Sequence, residues 1–338
     1  MVIRSRSPFR ISFGGGGTDV PPYCREHGGA VISTTINKYA YATITPNKNK
    51  AINIYSLDYR LKKSFEIGEE LEYNGRLDIV KAIINEFSVD KGCDLLIHSD
   101  MPPGSGMGIS SAVTVALIGA FKEFLEICME GYEVAELAYH IEREELKMEG
   151  GYQDQYASTF GGLNYIEFKD EVIVNPLRLR SENLNELQYR LLLCYTGDTR
   201  LSSEIQVDLV KRYKERKKDS IEGMHNLKSI ADEMKYSLIK GNLRRFGELL
   251  HQGWIEKKRL SNKITNPEID KLYEIARENG AIGGKILGAG GGGHLLLFCE
   301  YDKKYKVEDK IKEYGVKIID FGFETKGLQI WKVGDEDK

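Results

Sequence analysis

Alternation of apolar and polar positions makes the first hundred residues read as strands. β-Branched and aromatic residues cluster at 2–5, 10–13, 30–36, 39–45, 51–57 and 64–67, with Gly, Pro, Asn and Lys between them. The period lengthens at 79–87, where Ile79, Ala82, Ile83 and Phe87 share one face of a helix. A strand-length apolar run follows at 93–98, then a glycine-rich loop, then a helix rich in Ala, Val, Leu and Ile over 113–124. A second amphipathic helix is expected over 133–148, buried through Val134, Leu137, Ala138, Ile141 and Met148. Glu142 falls at the edge of that face and Glu145 within it. Gly150-Gly151 ends the helix, and strands are expected at 163–168 and 172–174.

The polar stretch 175–186 reads as irregular and marks a boundary, with one domain over 1–180 and a second over 181–338. The second opens on a strand at 187–195. Helices follow at 201–217, 219–240 and 242–260, whose many Lys, Arg and Glu residues read as solvated faces. Asn266 as cap and Pro267 at the first position start a helix over 267–279. Strands 285–287 and 294–299 flank a glycine run. Helix 303–313 and strands 316–319 and 327–332 complete an α+β second domain, with 334–338 as a polar tail.

Composition narrows the partners. A chain of 338 residues with 41% hydrophobic and 29% charged residues is an ordinary globular one, and a net charge of −3 gives no basic surface for nucleic acid or anionic membrane. No apolar segment follows the N-terminus and no run of about 18 apolar residues exists, so a cytoplasmic protein that does not cross a membrane is expected. The five cysteines (24, 93, 128, 194 and 299) never form C-x-x-C, which points to reduced, buried thiols.

Three glycine clusters stand out, at 14–17, 104–108 and 288–293. The third matches G-x-G-x-x-G but precedes the apolar strand 295–298 and not a helix, so a dinucleotide fold fails on context. Gly284-Lys285 is followed by Ile286, so no Walker loop is present, and the protein-kinase signatures are missing. In the second cluster, Gly104, Gly106 and Gly108 let backbone approach a ligand. Ser110 and Ser111 lie where free N–H groups and the helix dipole meet an anion. Taken alone, three glycines fit a serine-capped turn equally well. Joined to acidic residues that can hold Mg²⁺ and take a proton, they make a phosphate loop, because phosphoryl transfer needs little beyond charge neutralisation and an aligned nucleophile. Asp154, between two glycine pairs and flanked by aromatics, is the candidate base; Glu142 is the candidate metal ligand.

A family resemblance adds to this reading. Pro102-Pro103-Gly104-Ser105-Gly106-Met107-Gly108-Ile109-Ser110-Ser111-Ala112 resembles the second motif of the GHMP kinases (galactokinase, homoserine kinase, mevalonate kinase, phosphomevalonate kinase). Ser7-Pro8-Phe9-Arg10-Ile11-Ser12-Phe13 through Thr18-Asp19 resembles the first motif, and Lys285-Ile286-Leu287-Gly288-Ala289-Gly290-Gly291-Gly292-Gly293 the third. The resemblance implies a two-domain α+β fold, with an N-terminal domain like ribosomal protein S5 domain 2 and a ferredoxin-like C-terminal domain. It also implies ATP and Mg²⁺. By that likeness ATP lies along Pro103, Gly104, Ser105, Gly106, Met107, Gly108, Ile109, Ser110 and Ser111, and the metal on Ser111 and Glu142. Asp154 takes the proton from the acceptor hydroxyl, with Arg10 beside the reacting groups. The acceptor site is implied at Gly16, Gly17, Thr18, Asp19, Gly151, Gly290 and Gly291. Galactokinase carries an acidic residue and a histidine where Gly16 and Gly17 stand here, so two hydroxyl contacts to galactose are missing.

The finer pattern at 13–23, 150–156 and 195–200 is similar to a branch that phosphorylates the anomeric oxygen of D-glycero-D-manno-heptose 7-phosphate or of L-fucose. Fucokinases usually carry a large additional domain, so the heptose 7-phosphate is the expected acceptor, in a route to nucleotide-activated heptose for surface polysaccharide. Arg200 is the candidate cation for the 7-phosphate, with Lys38 behind it. The presence of both Glu142 and Asp154 argues against a non-catalytic sensor on the same fold, and the net charge against an RNA-binding module. A homodimer stays open.

Overall fold

The computed structural model describes residues 1–102, 104–197 and 202–334. The chain begins β1 (Val2–Gly14), α1 (Tyr23–His27), β2 (Gly29–Pro46), β3 (Ala51–Ser56), β4 (Leu61–Glu66) and α2 (Asp78–Glu86). It continues β5 (Cys93–Ser99), α3 (Ile109–Phe124), α4 (Gly131–Tyr139), α5 (Gln153–Phe160), β6 (Leu163–Phe168), β7 (Val172–Pro176) and α6 (Ser181–Arg190). Then come β8 (Leu191–Tyr195), α7 (Ser202–Lys214), α8 (Lys218–Ile239), α9 (Leu243–Leu260) and α10 (Pro267–Glu278). The end is β9 (Ala281–Ile286), β10 (His294–Cys299), α11 (Lys304–Lys312), β11 (Lys317–Ile319), β12 (Phe323–Glu324) and β13 (Gln329–Val333).

Two sheets organise these elements. The larger runs β13-β1-β2-β5-β3-β4, and β6 pairs with the first half of β2 while β5 pairs with its second half. β1 is one strand where two were expected, because a bulge between Pro8 and Phe9 lets the ladder pass a residue with no N–H to donate. β2 likewise joins the two segments expected at 30–36 and 39–45. α3 crosses beneath β1 and β2 and is buried around nearly its whole circumference through Ile109, Ala112, Val115, Leu117, Ile118 and Phe121. Its N-terminus is thereby fixed against the end of β1.

The smaller sheet is antiparallel in the order β11-β8-β10-β9. Numbered along the chain its strands stand fourth, first, third, second, with helices in both crossovers. That is the βαββαβ arrangement of ferredoxin-like folds. Its core continues into that of the larger sheet: Phe246 makes edge-to-face contacts with Phe13 at 5.3 Å and with Phe298 at 5.5 Å between ring centroids. Each such aromatic pair adds about 0.5–1.5 kcal/mol beyond area burial.

Three expectations need correction. The segment 175–186 is not irregular throughout: β7 ends in it at Pro176, α6 occupies its second half, and the strand expected at 187–195 starts only at Leu191. The strand at 327–332 does not complete the second sheet. As β13 it pairs with β1, Val2 opposite Val333 and Arg6 opposite Gln329, which covers an edge that β1 would otherwise expose. The helix expected over 133–148 stops at Tyr139 and passes into a π-helical turn, His140–Glu145, where Leu146 N–H reaches back five residues to Ile141 O. The wider turn rotates the face, so Glu142 is fully buried and Glu145 only half-buried, the reverse of the periodic reading. Among the described residues four cysteines are buried and unpaired, while Cys128 is exposed. No helix among them is long and apolar enough to cross a membrane.

Candidate active site

The ends of β1, the 104–108 loop, the N-termini of α3 and α5, and the inner face of α9 enclose a cleft of about 490 Å³. Larger grooves lie elsewhere, one between α6 and α11 and one between α9 and α10. Neither brings a glycine loop and a buried acid–base pair together, so chemistry and not size selects the cleft.

Its centre is an ion pair. Arg10, buried in β1, donates from Nε and Nη2 to the two carboxylate oxygens of Asp154 at 2.7 and 2.9 Å, and from Nη1 to Gly106 O at 2.8 Å. One guanidinium thus joins the first glycine-flanked strand, the phosphate loop and the first turn of α5. The second lone pair on each Asp154 oxygen stays open to the cleft. Gly108 closes the approach from below: at φ +70° a side chain is strained, and a Cβ would stand 3.2 Å from Asp154 Cγ. Gly108 also precedes α3 with no side-chain cap, leaving the first-turn N–H groups for an anion.

Glu142 sits one helix away, completely buried. Its Oε2 accepts from Ser111 Oγ at 2.7 Å and from the Gln155 amide; its Oε1 accepts from Thr114 Oγ1 at 2.8 Å and Ser110 Oγ at 3.2 Å. Arg143 adds a contact at 3.2 Å. A carboxylate and a hydroxyl at the foot of a phosphate loop form a hard oxygen set, which suits Mg²⁺ that keeps its remaining positions for phosphate and water. The residues fit the metal.

Asp19 forms the opposite wall. Its Oδ1 accepts from Gly17 N–H at 3.0 Å and its Oδ2 from Gln153 N–H at 3.2 Å. Burial pushes its carboxyl above the usual range, the two amides oppose that shift, and the charge of Asp154 adds to it. Gly151 must lack a side chain here, since a Cβ would lie 2.1 Å from Asp19 Oδ2. Around Gly16, the buried oxygens Ser12 Oγ and Gln153 Oε1 have no hydrogen-bond partner among the described residues, and neither does Ser105 Oγ across the cleft. Such groups are costly without one.

The structure therefore brings Arg10, Gly16, Gly17, Asp19, Gly104, Ser105, Gly106, Gly108, Ile109, Ser110, Ser111, Gly151 and Asp154 to one cleft, with Glu142 behind it. It does not bring Thr18 there, whose hydroxyl is occupied by Gly15 O at 2.8 Å and by Ala30. Met107 is buried below the loop. Gly290 and Gly291 pack against Ile264, and Gly288 and Ala289 reach the cleft instead. Pro103 and Arg200 lie outside the described residues, and Lys38 is not part of the cleft lining. His294 opens β10 as expected, but its buried Nδ1–H also donates to Ser105 O at 2.7 Å, tying the phosphate loop to the second sheet. Burial holds its imidazole below the usual histidine range, with that bond pulling the other way.

Residue-by-residue reading missed Ser12, Thr114, Arg143, Gln153, Gln155 and Lys257. Lys257 had a legible signal. It falls on the apolar stripe of α9 with Phe246, Leu250, Gly253 and Trp254, so one of the charges read as solvated is buried. Burial, then the charge of Arg10, brings its ammonium down to about 8, against the opposing pull of Asp19 and Asp154.

Comparison with known proteins agrees with this geometry. The model of the GHMP kinases N terminal domain matches residues 74–162, and that of the GHMP kinases C terminal region matches 234–317. A Campylobacter jejuni protein named D-glycero-alpha-D-manno-heptose 7-phosphate kinase is 38% identical over 98% of this chain and 99% of its own. The crystal structure of a D-glycero-D-manno-heptose 1-phosphate kinase from Bacteroides thetaiotaomicron superposes with a TM-score of 0.83 at 32% identity, covering 98% of this chain and 100% of that one. An Arabidopsis thaliana bifunctional fucokinase/GDP-fucose pyrophosphorylase is 26% identical over 91% of this chain but only 31% of its own length. GHMP kinases generally use ATP and Mg²⁺ for phosphotransfer to small molecules, and they share this two-domain α+β fold. The chain belongs to the GHMP kinase family.

Proposed function

We propose that the chain transfers the γ-phosphoryl group of ATP to the anomeric C1 hydroxyl of D-glycero-D-manno-heptose 7-phosphate, giving the 1,7-bisphosphate. That product would feed nucleotide-activated heptose for surface polysaccharide. The observation that carries the reading is the Arg10–Asp154 pair held against a glycine-rich phosphate loop. Asp154 accepts the hydroxyl proton, and Arg10 orients it through two bonds. The amides of the loop and of the first turn of α3 bind the polyphosphate. Ser111 and Glu142 would hold Mg²⁺, which neutralises phosphate charge when bound. Asp19, Ser12 and Gln153 offer acceptors and a donor to sugar hydroxyls on the opposite wall.

The acceptor's identity draws its support from the relatives. The Campylobacter protein's similarity spans both chains almost completely, whereas that of the bifunctional fucokinase is weaker and confined to a third of its length. The two heptose kinases are named for phosphates on different carbons, so both compounds belong in the test. MgATP turnover is measured in parallel on heptose 7-phosphate, heptose 1-phosphate, L-fucose, D-mannose and mannose 6-phosphate. Strong preference for heptose 7-phosphate is expected. Preference for heptose 1-phosphate overturns the position of attack, and preference for L-fucose overturns the acceptor while keeping the chemistry. ATP binding without turnover on any of them argues for a sensor.

Gly151→Ala tests the sugar wall. The added methyl displaces Asp19, and losing one good hydrogen-bonding contact corresponds to a KM for the acceptor about tenfold higher. MgATP affinity, read separately by calorimetry, stays near wild type because the phosphate loop is untouched.

A further inference from the structure

Lys257 takes no part in the hydrogen-bond sets around Asp154, Glu142 and Asp19. It reaches the cleft from α9, on the side of the second sheet, and its side chain is 5% exposed. Among the described residues its ammonium makes one hydrogen bond, to Gly288 O at 2.6 Å, and no ion pair within 4.0 Å. An ammonium has three donors, so two remain. Gly288 is itself pressed on the phosphate loop: a Cβ there would stand 2.8 Å from both Gly106 Cα and Gly106 O. The ammonium therefore hangs over the loop whose amides bind phosphate, on the same side as Arg10. Lys285, also buried, lies nearby in β9 and is pushed well below the ordinary lysine range by burial and by the charges of Lys257 and Arg10. A charge kept dry beside a single carbonyl is unfavourable by itself and becomes favourable beside an anion.

We propose that Lys257 is a phosphate-binding ammonium that closes the cleft from the second sheet. Its phosphate is either the terminal phosphoryl group of ATP or a phosphate that the acceptor already carries. The proposal rests on the phosphotransfer reading above and separates from it experimentally. Lys257→Met removes the charge at similar length, Lys257→Arg keeps it, and Lys257→Gln is the fallback should the methionine variant not fold.

Calorimetry with MgADP and with Mg-AMP-PNP asks for no acceptor at all. If the ammonium meets the terminal phosphate, wild type prefers AMP-PNP, and Lys257→Met loses about tenfold of that preference with ADP affinity unchanged. Lys257→Arg retains part of it. If the preference is unchanged but KM for the phosphorylated sugar alone rises about tenfold, the phosphate is the acceptor's. A folded Lys257→Met or Lys257→Gln protein with both quantities unchanged overturns the proposal. Wild-type indifference to heptose 7-phosphate would overturn the acceptor assignment and leave Lys257 decided by the nucleotide arm.

Discussion

Asp154→Asn is expected to lower kcat by about 10³-fold while MgATP affinity stays within about twofold. The substitution keeps the side chain's size, and its remaining oxygen can still accept from Arg10, so the cleft should keep its shape. What disappears is the oxygen lone pair that takes the acceptor's proton, together with half of the two-point pairing at 2.7 and 2.9 Å that aims it. Nothing in the phosphate loop changes: Arg10 Nη1 still donates to Gly106 O, and the first turn of α3 keeps its free amides. Steady-state kinetics on the preferred acceptor and calorimetry with MgATP read the two quantities. Near-normal kcat would remove Asp154 as base and pass the role to Asp19, the buried carboxylate of the opposite wall, which burial holds above the usual carboxylate range. A parallel loss of ATP binding would mean that the pair is structural, holding the loop and not the proton.

Much of this site could be seen in the sequence because it is local. Loop and helix N-terminus are contiguous from Gly104 to Ser111, and Asp154 follows closely on Gly151, whose missing side chain leaves room for Asp19. Periodicity failed where the backbone departs from its own period. Helical periodicity puts Glu142 at the edge of a face, and only the π-helical turn brings it fully inside. Pairing was equally hidden. The strand at the end of the chain alternates like any other, and nothing in its residues names β1 as its partner. The same holds for His294, which reads as the start of a strand and also ties Ser105 across the two sheets. Lys257 shows the opposite failure: its place on an apolar stripe is legible, but the many Lys, Arg and Glu residues of the segment read together as a solvated face.

Glu142→Gln is expected to raise the Mg²⁺ concentration needed for half-maximal activity at least about tenfold and to cut kcat/KM for MgATP by about 10²-fold. Five groups converge on this carboxylate: the hydroxyls of Ser110, Ser111 and Thr114, the Gln155 amide and the Arg143 guanidinium. All can donate, and an amide in the same place presents a donor of its own to at least one of them. Arg143 also loses its charged partner, keeping, among the described residues, only weak contacts at 3.4 and 3.5 Å to Gly151 O and Met148 O. Breaking a buried pair costs about 3–5 kcal/mol where no water reaches it, so Tm should fall by several degrees as well. The two effects have separate readouts. Thr114→Val removes one hydroxyl bond to Glu142 Oε1 but not the carboxylate, and should lower Tm with little change in Mg²⁺ dependence. If Glu142→Gln behaves the same way, with reduced Tm and an unshifted Mg²⁺ titration, Glu142 is a structural anchor for α3 and the metal must be held elsewhere. If high Mg²⁺ restores part of the activity in Glu142→Gln alone, the carboxylate is a ligand, and the π-helical turn is what carries it to the phosphate loop.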